Sequence, residues 1–196
     1  MMLTWGLLGV IALVHVWGAA IYNPLVQLRN RIANAFGQID VHLKRRHHLV
    51  TNLVEVARAY LAHETATLEA VIRARGFAQA AASMARAQPP NAASVKALAV
   101  AEGALGGSLG RLMAVAENYP DLKADATMKS LSEDLTRTEN RLGFARQAYS
   151  DQVLDFNNEA TQFPDLIFAR LLAFAPAAML EATVSEAERA APQVRF

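Results

Sequence analysis

Apolar and polar positions divide this chain into one uninterrupted run and a series of striped segments. From Met1 to Tyr22 the sequence MMLTWGLLGVIALVHVWGAAIY holds no Asp, Glu, Lys or Arg, and the first such residue is Arg29. As a helix, about 22 residues reach about 33 Å, enough to cross a hydrocarbon core of about 30 Å. Beyond it, Asn23-Pro24 predicts a joint, because Pro disfavours helix in the residue before it and suits a first helical turn. Apolar residues then recur at Leu25, Leu28, Ile32, Phe36, Ile39 and Leu43, and again at Val50, Leu53, Ala57, Tyr60, Leu68 and Val71. Spacings of three and four are those of an amphipathic helix with one packed face. The stripe falters across Lys44-Arg45-Arg46-His47-His48, where a kink or a restart is expected.

Gln88-Pro89-Pro90-Asn91 predicts the next break, with Asn91 or Ser94 as the cap of a second segment running to about Glu117. Val95, Leu98, Leu105, Leu109 and Leu112 share its apolar face. Its glycines, at 103, 106, 107 and 110, fit close helix packing better than a phosphate loop, since no strand precedes them and no GK[ST] follows. Asn118-Tyr119-Pro120-Asp121 is a turn. A third helix, about Thr127 to Gln162, carries Met128, Leu135, Leu142, Tyr149, Phe156 and Phe163 in heptad register, with Leu131, Thr138 and Ala145 between them. Such a seam packs against long partner helices, and the first segment is the expected partner. Leu166 to Phe174 is too short to span a bilayer, so it either caps the core or lies at the membrane interface beside the anchor. The resulting expectation is all-α. A transmembrane anchor (1–22) precedes an antiparallel bundle of three to four long helices (23–175) and a polar, mobile tail (176–196).

Composition narrows the function classes. A formal charge of +1 gives no reason to expect nucleic acid as a partner. Cys is absent, which removes disulfides, thiolate metal sites and Cys nucleophiles. The residues before the apolar run's core carry no Lys or Arg, which favours a retained anchor over a cleaved signal peptide. Arg29 and Arg31 follow the span, so the positive-inside rule places the N-terminus outside and the bundle in the cytoplasm of a bacterial inner membrane.

Five His and eighteen carboxylates warrant a search for chemistry. His63-Glu64 has no second His to complete HExxH, no Glu-x-x-His pair occurs, and adjacent His47 and His48 diverge by about 100° on a helix. There is no G-x-S-x-G elbow. The expectation is therefore no metal, no cofactor and no catalytic residue. On an unbroken helix the Lys44–His48 patch lies about 33 Å from the span, beyond the reach of headgroup charge. A solvated face or an ion-pairing surface within the bundle suits it better.

Four blocks then carry a resemblance. IYNPLVQLRNRIANAFGQIDVHLKRRHHLVTNLVEVARAYLAHETATLEAV (Ile21–Val71), LGRLMAVAENYPDLKAD (Leu109–Asp125), LSEDLTRTENRLGFARQAYSDQVLDFN (Leu131–Asn157) and FPDLIFARLLAF (Phe163–Phe174) resemble the LemA family, in order and over nearly the whole chain. The resemblance implies a bacterial membrane protein with one N-terminal span and a helical bundle, with no established activity or cofactor. Some members lie near membrane metalloproteases in genomes, and one branch takes part in membrane-organelle formation. This sequence has Thr51 where members often have Pro, and His48 where an acidic residue is common; Thr permits a continuous helix. The polar residues carried over are Asn30, Asn34, Asp40, Arg45, Arg46, His47, Asn52, Glu139, Asn140 and Arg141. Interhelical hydrogen bonding is the role expected of them. Two functions follow: a non-catalytic adaptor or scaffold that binds proteins or a second copy of itself, or a protease accessory or hydrolase using His47 and Glu139.

Overall fold

The computed structural model describes residues 2–89 and 91–180. Among these the chain is all-helical, with no strand. The helices are α1 (Met2–Tyr60), α2 (Thr65–Ala87), α3 (Ala92–Ala116), α4 (Pro120–Ala124), α5 (Ala126–Thr161) and α6 (Asp165–Leu171).

Helix α1 is one piece of 59 residues, about 88 Å long at 1.5 Å per residue. The joint expected at Asn23-Pro24 is not there: Pro24 lies inside the helix. Its missing N–H removes one backbone bond, and packing on both sides holds the helix through that defect. Ile21 and Leu25 are buried, Trp17 meets Phe168 edge-on at 5.3 Å, and Tyr22 meets Phe174 at 5.9 Å. Nor does the helix break at Lys44–His48. There the buried stripe continues through Leu43, Arg46, His47 and Val50, so its polarity changes while its geometry does not.

A break does fall where none was expected, at Leu61–Glu64, which separates α1 from α2. Leu61-Ala62-His63-Glu64 holds neither Gly nor Pro, and the apolar spacing runs on across it. Tertiary contacts fix the turn: Leu61 is fully buried, the Tyr60 hydroxyl donates to Asp125 (3.1 Å), and the Tyr119 hydroxyl to Glu64 (3.4 Å).

Helix α3 begins at Asn91, whose side chain accepts from the N–H groups of Ala93 and Ser94, and it buries all five expected apolar positions. Asp125 caps α5 by accepting from the Met128 N–H (2.8 Å). Helix α5 lies along α1 in the opposite direction: Phe36 meets Tyr149 at 5.9 Å, while Tyr60 reaches Asp125. Leu142, Tyr149 and Phe156 are buried on this seam and Leu135 half-buried, but Phe163 lies beyond the helix end and is 81% exposed.

The inner side of α6, through Phe168 and Ala169, and Phe174 just after it cap the base of the packed helices. The expected tail boundary at 176 cuts a docked stretch. Ala177 and Leu180 are buried, and the Asn157 side chain both donates to the Ala177 carbonyl and accepts from its N–H, each at 2.9 Å. Residues 181–196 of that tail lie outside the described residues.

The N-terminal part of α1 is apolar and exposed: Trp5, Leu7, Leu8, Ile11, Leu13, Val14, Val16 and Trp17 all face outward. By length and composition it suffices to cross a membrane.

Candidate functional site

The apolar interior forms two clusters. One, near the anchor, is built from Leu25, Phe36, Leu43, Leu98, Leu142 and Tyr149 among others. The second, distal, includes Val50, Leu53, Leu68, Leu105, Leu112 and Met128. Between them lies a layer of buried polar side chains. Helix α1 supplies Arg46 and His47, one turn after Leu43 and one before Val50; α3 supplies Glu102, between Leu98 and Leu105; α5 supplies Thr138, between Leu135 and Leu142. All four occupy stripe positions, so helical periodicity that buries Leu above and below buries them too.

Glu102 is the centre of the layer. Its Oε2 accepts from Arg46 Nη1 at 2.6 Å and its Oε1 from His47 Nε2–H at 2.7 Å. Arg46 Nε also reaches Oε2 of the half-exposed Glu139, at 3.2 Å. The His47 carbonyl accepts from the Thr51 hydroxyl and from Arg75 Nε, each at 3.0 Å, which ties α2 into the same layer. The Thr138 hydroxyl turns back to the Asp134 carbonyl on its own helix (2.7 Å). A buried carboxylate is tolerated when its charge is paired and its lone pairs are used, and both conditions hold for Glu102.

Beside the layer, a cavity of about 160 Å³ is lined by Arg46, Glu102, Glu139, Arg146, Gly106 and Leu180 among others. Two arginines face two glutamates there, so the lining is charge-balanced. Burial pulls the Arg146 guanidinium below its ordinary pKa; Glu139 opposes that shift, Arg46 adds to it, and Glu102 opposes it too. The Arg146 Nε has no protein hydrogen-bond partner among the described residues. At roughly 30 Å³ per water, the cavity accommodates a few solvent molecules.

A second ionic cluster joins α1 to α2 near the first. Asp40 is buried and pairs with Arg86 at 2.6 Å and with Lys44 at 2.9 Å.

Of the polar residues singled out by sequence, Asp40, Arg46, His47 and Glu139 come together in these two clusters. Arg45 is exposed, with a 4.0 Å approach to Asp134. Asn52 is half-buried, while Asn30, Asn34, Asn140 and Arg141 face outward. His47 and Glu139 are linked through Glu102 and Arg46 in turn. The sequence reading passed over Glu102, Arg75 and Arg146. Glu102 had a signal: it is the one carboxylate set four after Leu98 and three before Leu105 in an otherwise apolar stripe. No group of three or more His, Asp or Glu positioned to hold a metal ion occurs among the described residues.

Residues 35–196 match the model of the LemA family. Magnetosome protein MamQ 2 of Paramagnetospirillum magneticum is 39% identical over 69 residues, which are 35% of this chain and 25% of that protein. Magnetosome protein MamQ of Magnetospirillum gryphiswaldense is 35% identical over 69 residues, with the same coverage. The match thus spans about a quarter of the length of these curated relatives. Since the family match covers most of the sequence, this chain belongs to the LemA family.

Proposed function

We propose that this protein is a non-catalytic adaptor or scaffold at the bacterial cytoplasmic membrane, an antiparallel helical bundle held there by a single N-terminal span. One observation carries the reading: the exposed apolar run and the packed body share the continuous helix α1, so membrane attachment is built into the fold rather than added by a linker. The buried ionisable groups support it. Glu102, Arg46, His47 and Asp40 are engaged with one another or with neighbouring helices, the arrangement of groups that set helix register. Kinship with two magnetosome proteins agrees with a membrane setting. The partner is a protein or a second copy of the chain.

Crosslinking of the full chain in intact membranes, read by mass spectrometry, tests this. Discrete protein neighbours contacting the outward faces of α2, α3 or α5 are the expected result. Recovery of lipid adducts alone would overturn the scaffold reading.

A further inference from the structure

The turn and helix at the base of the molecule, Phe163 to Leu172, have two unlike sides. On the inner side Ala169 is buried, the Phe168 ring lies 5.3 Å from Trp17, and Phe174 meets both Tyr22 and Phe156. A Cβ placed on Gly18 would come within 3.4 Å of the Phe168 ring, so α6 sits closely against α1 at this point. On the outer side Phe163, Ile167 and Leu171 follow one another at spacings of four, and they are 81%, 55% and 76% exposed. Leu172 extends the patch.

The height of this patch is fixed by what its inner side touches. Phe168 is docked on Trp17 and Gly18, and Trp17 lies five residues inside the anchor's end at Tyr22, a depth of about 7 Å along the helix. Interfacial helices sit with their apolar faces about 5–10 Å into the headgroup and acyl boundary. Trp17 and Tyr22, against which the inner side packs, remain partly exposed themselves. Arg170 is exposed on the same short helix, with a stem long enough to carry its charge to the headgroup layer.

We propose that Phe163, Ile167, Leu171 and Leu172 form a second membrane contact, a foot lying in the interfacial layer of the same bilayer that α1 crosses. The proposal rests on the reading of residues 1–22 as a span. The foot holds the body at a fixed tilt, since a span alone does not specify its angle to the bilayer.

The chain has no Cys, so single labelling sites can be introduced into the full-length protein without other changes. Leu8→Cys, Ile167→Cys, Leu171→Cys and Phe144→Cys variants, each carrying an environment-sensitive fluorophore, are reconstituted into phosphatidylcholine–phosphatidylglycerol vesicles. Phe144 is exposed on α5 at the height of α1 residues 36–46, at least about 20 Å beyond Tyr22. Lipid-borne nitroxide should quench the labels at 167 and 171 about threefold or more above the label at 144, with aqueous iodide in the reverse order. Iodide quenching at 171 equal to that at 144 would place the foot in water and overturn the proposal. Shielding of 171 from both quenchers would overturn it in favour of a covering protein surface. The Leu8 label separates the two readings: if it escapes lipid quenching the span itself fails, and if only 167 and 171 escape, the foot alone fails.

Discussion

Glu102 is the residue on which the interior depends most. Glu102→Ala would leave Arg46 with only the half-exposed Glu139 and His47 with no carboxylate, at a cost of about 3–5 kcal/mol. Glu139→Ala removes a pair screened by water and should cost about 0–1 kcal/mol. Urea melts of the two variants check the contrast; equal losses would mean that Arg46 draws its support from the surface. Tyr149 gives a test by pH. Its side chain is fully buried and its hydroxyl lies 2.9 Å from the Pro89 carbonyl and 3.0 Å from that of Ala178. Burial pushes its pKa from 10.0 up to about 12. The neutral phenol is the form the fold favours, so this contribution is complete below pH 10 and fades as pH rises toward about 12. Tyr149→Phe should flatten the alkaline limb of the stability profile over that window, and an unchanged limb would assign it to other groups.

Between helices, the seam shared by α1 and α5 is the main joint. Leu142 is fully buried on it, and Leu142→Ala should cost about 2–5 kcal/mol, whereas the neighbouring Arg141 points outward and Arg141→Ala should stay within about 0.5 kcal/mol. Thermal melts of both variants decide it; a tolerated Leu142→Ala would detach α5 from the core. That seam was legible in the sequence because Leu, Tyr and Phe at heptad spacing have one physical reading. The start of α3 was legible because Asn91 follows two prolines and carries the side chain a cap needs. Three features were not. The α1–α2 turn has no local breaker, and it is set by Tyr60 and Tyr119 reaching residues 65 and 55 positions away. Pro24 reads as a joint locally, but packing from Phe168 of α6 and from Phe174 on the preceding turns overrides it. The Lys44–His48 run reads as a gap in the stripe, since its partner carboxylate lies 56 residues on from Arg46, in a helix that reads as apolar. Arg46, His47 and the seam position Thr138 were visible, and Glu102, the carboxylate that gives the first two meaning, was not.

At the scale of the whole molecule, orientation is the first question. With Arg29 and Arg31 on the body side of the span, a reporter active only outside the cytoplasm, fused after Phe196, should stay inactive. Activity would place the body on the other side. The carboxylate at the middle of α3 bears on how such a molecule is made. Helix α3 is itself long and apolar enough to cross a membrane, and it follows the N-terminal apolar run in the chain. Lys96 and Arg111 lie toward its ends, where long side chains reach the headgroups, but Glu102 lies near its centre. A central charge opposes insertion by roughly 2.5–3.5 kcal/mol, about a hundredfold in partitioning. The side chain that closes the interior thus also disfavours insertion of α3 into a bilayer. Placed in a host protein for a glycosylation-based insertion assay, residues 92–116 should be left outside the bilayer, and the same segment with Glu102→Leu should be taken in.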